Sequence, residues 1–342
     1  MKKIGVVTIN GYKNFGNRLQ NYALLRALQK MGHEPYNIWK ADWPERFTDY
    51  LKSKLVFIRK YKRLSHFYKF NKLYIPTKYV NDYNTVSEKF DYFILGSDQV
   101  WNYTFDEFDD GMFLGFSPKE KNIAYAASFG VSNISRGYKK TFINGINNFT
   151  KISVRENEAS ELIKLINNSI PEIVLDPTLL LGADDWERIL SSPSRKVPPK
   201  YVLLYFLGKQ PEGVAGIIDF LSKEYNCSVI NLLDSQSPFY CCGPDEFLFL
   251  EKNAFFICTD SFHSMVFALL FNIPFIVFSR FDKGIENMDS RIKSFLKLFN
   301  LENCWFHNDI SSDILNVDYS YAYCVLDEMK EKSLAFLKNA IQ

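Results

Sequence analysis

Short apolar runs alternate along the chain with amphipathic stretches, which is the pattern of βαβ units around a parallel sheet. In the first half, the amphipathic spacing predicts helices over residues 17–31, with Gly32 ending the first, and over residues 158–166. The apolar runs that predict strands in the same half are residues 4–9, 34–38, 92–95, 123–127, 152–155 and 173–175.

The pattern breaks at residues 190–200, where serines and prolines predict a linker, and then restarts. The second half predicts strands over 201–207, 228–233, 255–258 and 274–278, and helices over 213–225, 244–252, 290–298 and 330–340. We therefore predict an α/β protein with two domains, residues 1–190 and 200–342. Two such domains imply a cleft, and the polar motifs that follow the strands should converge there.

Composition narrows the class of protein. The chain has 342 residues, 47% of them hydrophobic, which is enough for two cores. A net charge of +2 gives no indication of a nucleic-acid partner. The six cysteines contain no CxxC pair, so they predict reduced thiols of the cytoplasm and neither a zinc site nor a disulfide framework. The first apolar run is too short for a signal peptide, and no run approaches the roughly 20 residues of a membrane span.

Residues 51–80 depart from this balance. They contain nine Lys or Arg and no Asp or Glu, interleaved with Phe and Tyr. Basic residues with aromatic ones can hold a protein on an anionic membrane surface. The alternative is a solvated helical face or a basic wall for an acidic ligand, and the sequence leaves both open.

One histidine occupies a position suited to chemistry. His263 lies between a strand-like run and a helix-like run, two residues after the helix-capping residue types Asp260 and Ser261. A helix N-terminus can receive a phosphate or carboxylate, and a histidine there can exchange a proton near neutral pH. The alternative is a capped helix whose histidine only completes a hydrogen-bond network.

Polar residues also follow the strands of the first half. Ser97, Asp98, Gln99 and Asn102 come directly after an apolar strand, and Asn17 follows the first turn. Because such groups are costly to bury without partners, they suit recognition of hydroxyl groups, with Asp98 as a candidate general base. An Asp-capped turn is the alternative.

Arg155 stands at the end of another predicted strand. Its guanidinium could hold a carboxylate or phosphate in a two-point contact, or it could form a salt bridge to Glu156 or Asp176. The stretch from Leu175 to Leu179 is interpreted as structural, because a rigid proline follows the strand end.

The motifs together resemble the polysaccharide pyruvyl transferase family. They occur in the family's order over residues 4–298: FGNRLQNYAL, FILGSDQVWN, YAASFG, SVRE, VLDPTLLL, GPDEFLFL, CTDSFHSMVFALLFNIPFIVF and DSRIKSFL. The resemblance implies a GT-B-like fold, with an acceptor-side and a donor-side Rossmann-type domain facing each other across a cleft. It further implies transfer of pyruvyl from phosphoenolpyruvate to two hydroxyls of a sugar in a bacterial polysaccharide or its lipid-linked precursor, without metal or other cofactor.

By this resemblance, His263 matches the family's general acid/base. The chain departs from the family at Ser261, where well-studied members carry an arginine that helps to hold the donor. The Ser-Phe-His form resembles a subgroup of bacterial capsule and exopolysaccharide clusters. The catalytic candidates are His263 and Asp98; the donor-binding ones are Arg155, Ser261, Ser264, Arg280, Lys283 and Arg291; the acceptor-binding ones are Asn17, Gln20, Ser97, Gln99, Asn102 and Ser128.

Two other functions stay open on the sequence. The first is a GT-B glycosyltransferase that uses a nucleotide-sugar, because Ser261 makes a changed donor conceivable. The second is a non-catalytic homologue that binds glycan. The basic segment 51–80 would fit an enzyme that meets a lipid-linked acceptor at the cytoplasmic membrane face.

Overall fold

A computed structural model describes residues 1–40, 58–280, 289–307 and 312–342. Within them the chain forms two compact units. Unit 1 comprises residues 1–61, 68–181 and 328–342, and unit 2 comprises residues 62–67 and 182–327.

Unit 1 is built on a sheet whose seven described strands are all parallel. Their order is β3-β2-β1-β4-β5-β6-β7, so the direction of chain progression reverses between β1 and β4. Ligands in open α/β sheets bind at such a reversal, outside the carboxyl ends of the strands. The strands are β1 (Lys3–Val7), β2 (Glu34–Lys40), β3 (Thr77–Val80), β4 (Tyr92–Leu95), β5 (Asn122–Ala127), β6 (Lys151–Val154) and β7 (Glu172–Ile173).

Helices connect these strands as βαβ units require. Helix α1 begins after Asn14, whose side chain accepts a hydrogen bond from the backbone N–H of Asn17. Gly32 follows its end with φ +84°, a conformation that favours glycine. The α-helices described within residues 1–181 are α1 (Phe15–Lys30), α2 (Ile58–Tyr74), α3 (Lys139–Ile146) and α4 (Asn157–Asn167).

Unit 2 contains a second parallel sheet, with four described strands in the order β11-β10-β8-β9. The strands are β8 (Tyr201–Tyr205), β9 (Ser228–Asn231), β10 (Phe256–Thr259) and β11 (Phe275–Val277). The α-helices that begin in the described part of residues 182–342 are α5 (Ala183–Glu187), α6 (Gly213–Tyr225), α7 (Pro244–Lys252), α8 (Phe262–Leu270), α9 (Asp289–Phe299) and α10 (Ser320–Ala340).

Each unit has its own core, which supports the prediction of two hydrophobic cores. In unit 1, Phe93 and Trp101 are fully buried and belong to one cluster with Phe113 and Phe142. In unit 2, Val202, Ile217 and Phe256 are fully buried in another cluster. The predicted α/β class is therefore confirmed.

The boundaries of the units differ from the predicted 1–190 and 200–342. The chain passes into unit 2 at Gly182, and residues 328–342 return to unit 1. The physical reason lies in the second half of α10, where the Ser333 hydroxyl accepts a hydrogen bond from the backbone N–H of Leu175 at 2.9 Å. Phe336 of the same helix contacts Tyr125 of β5, at 6.2 Å between ring centroids.

Among the described residues, no helix is long and apolar enough to cross a membrane. The predicted basic segment falls partly on helix α2, while its residues 51–57 lie outside the described ranges, as does Lys283. All six cysteines are free.

Candidate functional site

Polar residues gather at the carboxyl edge of the unit 1 sheet, among them the predicted site residues Asp98, Ser128 and Arg155. Asp98 follows β4, Ser128 follows β5, Arg155 follows β6 and Asp176 follows β7. Because the strands are parallel and adjacent, these four positions fall along one edge.

Asp98 is the centre of this cluster. Its Oδ2 accepts a hydrogen bond from Asn17 Nδ2 at 3.3 Å, and its Oδ1 lies 4.0 Å from Arg155 Nη2. Its backbone φ is +74°, which is strained for a residue with a side chain. The Asp98 carbonyl also accepts from the backbone N–H groups of Val100 and Ser128, which hold that conformation. The carboxylate is thus fixed in place, with 8% of the residue exposed.

Arg155 forms the ion pairs that were one of its two interpretations. Its Nη1 lies 2.6 Å from Asp176 Oδ2, and its Nε lies 3.5 Å from Glu156 Oε2. Burial acts to lower the pKa of Arg155, but the carboxylates of Asp176, Glu156 and Asp98 outweigh it and raise the pKa. The salt bridge is therefore confirmed with both partners, and donor binding by Arg155 stays a prediction.

Arg18 belongs to the cluster, although it was not predicted as a site residue. It is fully buried, and its Nη2 donates to the Ile9 carbonyl at 2.6 Å. Its Nε and Nη2 both donate to Asn17 Oδ1, which turns the NH₂ group of that amide toward Asp98. Burial lowers the pKa of Arg18 to about 10. Its position beside Asn17 in the first turn of α1 was the available signal.

Asp176 was interpreted as structural, and it connects the turn to the cluster. Its Oδ1 accepts from the Thr178 backbone and hydroxyl at 3.0 and 2.6 Å. Its Oδ2 accepts from Arg155 and, at 3.1 Å, from the Ser97 hydroxyl. Asp176 thus caps a turn and orients two residues of the cluster.

The other predicted acceptor-side residues are buried, and only Asn102 and Gln99 among them bond to each other. Gln20 Nε2 donates to Thr8 Oγ1 at 3.0 Å, and Asn102 Nδ2 donates to Gln99 Oε1 at 2.8 Å. Ser128 is fully buried, and its hydroxyl has no hydrogen-bond partner among the described residues. Contact of any of them with a ligand stays a prediction.

The His263 motif lies at the carboxyl edge of the unit 2 sheet. Helix α8 begins at Phe262 after Ser261, so His263 lies in its first turn, with 7% of the residue exposed. The predicted strand and helix around this histidine are confirmed.

Asp260 hydrogen-bonds to a neighbouring loop at this edge, and the N-cap position of α8 is occupied by Ser261. Its carboxylate oxygens accept from the backbone N–H groups of Leu207 and Gly208 at 2.7 and 2.8 Å. Arg280, a predicted donor-binding residue, reaches it with Nε at 3.3 Å and donates Nη2 to the Asp260 carbonyl at 3.0 Å. The loops after β8, β10 and β11 are thereby tied together.

Two further donor-side candidates are buried in unit 2. Ser264 is fully buried, and its hydroxyl donates to Glu251 Oε1 at 2.6 Å. Complete burial raises the pKa of Glu251 well above its ordinary value, although the Ser264 hydrogen bond acts to lower it. Arg291 lies on α9 with 7% of the residue exposed. Ser264 thus supports α8 from within the unit.

These geometries support two kinds of chemistry. Unit 1 offers a fixed carboxylate beside amide and hydroxyl groups, which suits orientation or deprotonation of an alcohol. Unit 2 offers a helix N-terminus with a histidine, which suits an anion and a proton transfer. Among the described residues, no group of three or more His, Cys, Asp or Glu side chains is placed to hold a metal ion.

Comparison with known proteins gives one family. A family model described as polysaccharide pyruvyl transferase matches residues 14–282. A search of curated protein sequences finds no match.

Similar solved structures include a putative UDP-N-acetylglucosamine 2-epimerase from Listeria monocytogenes, with 11% identity, 97% of this chain and 91% of that chain covered, and a TM-score of 0.49. The UDP-N-acetylglucosamine 2-epimerase from Rickettsia bellii has 13% identity, coverage of 100% and 97%, and a TM-score of 0.47. MurG from Acinetobacter baumannii has 9% identity, coverage of 98% and 95%, and a TM-score of 0.38. At these identities and scores, none of the three bears on the substrate of this chain.

Proposed function

The chain belongs to the polysaccharide pyruvyl transferase family, and on that premise we propose that it transfers a pyruvyl group from phosphoenolpyruvate to two hydroxyls of a sugar. The observation that supports this most is the Asp98 carboxylate, held at positive φ between Asn17 and Arg155. Such a group suits an alcohol substrate. The acceptor is a sugar of a polysaccharide or of its lipid-linked precursor.

In the proposed reaction, the methylene carbon of phosphoenolpyruvate takes up a proton and becomes the methyl group. One sugar hydroxyl oxygen bonds to the neighbouring carbon, the bond from that carbon to the phosphate oxygen breaks, and the second hydroxyl oxygen closes the ketal. The two hydroxyl protons are balanced by the proton gained at carbon and the one that leaves with phosphate.

Asp98 is proposed to orient and deprotonate the acceptor hydroxyl. Its fixed position reduces the cost of aligning base and alcohol. Arg155 is better placed as a positioning residue for Asp98 than as the donor's partner, because the carboxylates of Asp98, Glu156 and Asp176 already surround its charge.

His263 is proposed to transfer the proton at the donor, whose phosphate would lie at the N-terminus of α8 beside Ser261. Arg280 and Arg291 are the described cations of unit 2 that we assign to the donor's charge. These two cations would take the place of the arginine that well-studied members of the family carry at the position of Ser261.

The test measures phosphate release from phosphoenolpyruvate in the presence of candidate sugar acceptors. His263→Ala should lower turnover by about 10²–10⁴-fold with the fold retained, because that is the usual contribution of general acid/base assistance. Asp98→Asn should impair acceptor use and leave phosphoenolpyruvate affinity, measured by isothermal titration, unchanged. Turnover of folded His263→Ala near the wild-type rate would exclude the assignment of that residue.

Ligand-binding measurements also distinguish the pyruvyl transferase from the two alternative functions. Saturable binding of phosphoenolpyruvate that persists in Arg155→Lys supports the donor and the positioning role of Arg155. Stabilisation against heat by UDP- or CMP-sugars, without any by phosphoenolpyruvate, would favour a nucleotide-sugar glycosyltransferase, for which Ser261 is the motivating feature. Acceptor binding without phosphate release from any donor would indicate a non-catalytic homologue.

We also propose peripheral contact with the cytoplasmic membrane face through helix α2. Lys69 and Lys72 are exposed there, and Leu73 is 61% exposed. Cations beside an exposed apolar group favour an anionic lipid surface. Binding to vesicles of phosphatidylglycerol should exceed binding to phosphatidylcholine at low salt and fall in Lys69→Glu/Lys72→Glu. Equal binding to both vesicles would contradict the contact.

A further inference from the structure

The carboxyl edge of the unit 1 sheet has two chemically different halves. Strands β4 to β7 end in the charged and polar cluster around Asp98. Tyr12 follows β1, whereas Trp39 and Tyr79 lie near the ends of β2 and β3. These three residues form what we call the aromatic strip, and it occupies the half of the edge that the proposed chemistry leaves unused.

The rings of the aromatic strip stand in series. Tyr12 and Trp39 have ring centroids 5.0 Å apart, and Trp39 and Tyr79 have centroids 5.7 Å apart. Trp39 and Tyr79 are also register partners across β2 and β3. Tyr79 is 44% exposed, whereas Tyr12 and Trp39 are half-buried. The strip therefore brings three neighbouring aromatic rings together at this edge.

The strip is joined to the Asp98 cluster through Arg18. The Arg18 guanidinium carbon lies 5.6 Å from the centroid of the Trp39 ring. The same guanidinium donates to Asn17, which in turn donates to Asp98. The junction falls between β1 and β4, where the strand order reverses and where ligands of such sheets bind.

We infer that the aromatic strip binds a second sugar residue of the acceptor, next to the residue whose hydroxyls reach Asp98. This rests on the proposed function and makes the preferred acceptor an oligosaccharide. Pyranose rings present C–H faces that pack on aromatic rings, and the phenol groups supply hydrogen bonds at the rim.

The test is ligand-observed NMR titration of defined saccharides into the full chain. The probes are methyl β-D-glucopyranoside and methyl β-D-galactopyranoside, compared with cellobiose, lactose and N,N′-diacetylchitobiose. We expect at least one disaccharide to bind about tenfold more tightly than the methyl glycosides. That preference should disappear in Trp39→Ala and Tyr79→Ala and return in Trp39→Phe, because one aromatic contact contributes on the order of tenfold in affinity.

Tyr138→Ala is the matched control, since Tyr138 is 39% exposed on unit 1 and packs against Tyr103, away from the strip. The inference is overturned if no probe binds, if monosaccharides and disaccharides bind equally, or if the control variant loses the preference as well. It is also overturned if the strip variants lose binding to phosphatidylglycerol vesicles and keep saccharide binding, because the strip would then contact lipid.

Failure of this inference and failure of the proposed function are distinguishable. If wild type and Trp39→Ala both release phosphate from phosphoenolpyruvate with the same KM for the disaccharide, the proposed function is retained. Sugar binding by the strip is then excluded. Saccharide binding at the strip without phosphate release from phosphoenolpyruvate excludes the function and leaves the strip standing.

Discussion

At the scale of single residues, backbone strain collects where the strands of unit 1 end. Asp98, just after β4, has φ +74°, and Ala126, near the end of the neighbouring strand β5, has φ +50°. Each such conformation costs on the order of 1–3 kcal/mol and persists only where surrounding hydrogen bonds enforce it. Because the same backbone aims the Asp98 carboxylate, the strain coincides with the candidate base.

Substitution of Gly130 tests how closely the side chains are packed at this edge of the sheet. Its φ is +64°, and an added Cβ would lie 1.8 Å from Gln99 Oε1. We expect Gly130→Ala to lower the free energy of unfolding by about 1–2 kcal/mol, through strain and displacement of Gln99. Urea denaturation measures this. Gly137→Ala is the control, because nothing lies within 4 Å of its added Cβ, and equal effects in both variants would contradict the argument.

Glu251 gives a prediction that depends on pH. Burial raises its pKa in the folded protein, so the native state retains a proton that the unfolded chain releases above the ordinary value of 4.5. Its contribution to stability is therefore present below about pH 4.5 and is lost as the pH rises toward the folded pKa. Glu251→Gln should be more stable than wild type at pH 8, by at most about 1.4 kcal/mol per pH unit above 4.5, and equally stable at pH 4.5.

Chemical denaturation between pH 4.5 and 8 tests this expectation for Glu251. Glu224→Gln serves as the control, because Glu224 is exposed on α6. A stability difference for Glu251→Gln that does not grow with pH would show that the carboxyl group is ionised in the native state.

At the scale of elements, the turn after β7 does more than connect the units. Asp176 caps the short helical turn Pro177–Leu180 and also pairs with Arg155. A cap and a buried ion pair therefore share one side chain. Such sharing couples the geometry of the turn to that of the Asp98 cluster.

Asp176→Ala should destabilise the protein by about 3 kcal/mol or more, because it removes a cap and leaves a buried guanidinium with one partner fewer. In a double-mutant cycle with Arg155→Met, the combined loss should be smaller than the sum of the single losses. Equilibrium unfolding of the four proteins measures this. Additive losses would mean that the 2.6 Å contact carries no coupling energy.

At the scale of the whole molecule, unit 1 is assembled from segments that are far apart in the chain. Apart from the short stretch 62–67, the chain leaves unit 1 after Leu181 and returns to it with residues 328–342. Unit 1 is therefore incomplete until the last helix has been made. Helix α10 contributes Ser333, which is fully buried and whose hydroxyl accepts a hydrogen bond from the Leu175 N–H.

Ser333→Ala should cost about 1–3 kcal/mol, because it leaves the buried Leu175 N–H without its partner. Ser320→Ala on the same helix is the control, since Ser320 is exposed. Thermal unfolding of both variants tests the return of α10 to unit 1. Equal melting temperatures for the two variants would contradict a structural role of the Ser333 bond.

The sequence by itself determined the α/β class, most of the strands and the positions of the polar residues that follow them. Residues 92–95, 213–225 and 244–252 were predicted with the bounds that the structure gives, because apolar runs and amphipathic spacing are local properties. The same locality explains the correct placement of His263 in the first turn of α8, since capping residues and a strand end adjoin it.

Only the tertiary structure decided which of these residues are partners. The pairing of Arg155 with Asp176 joins residues from different strands, and Arg18 is buried through contacts with Ile9 and Asn17. Strand β3 was not predicted, because its four residues alternate weakly and gain their place only by pairing with β2. Strand order across a sheet sets these contacts, and it depends on pairings between segments that are distant in the chain.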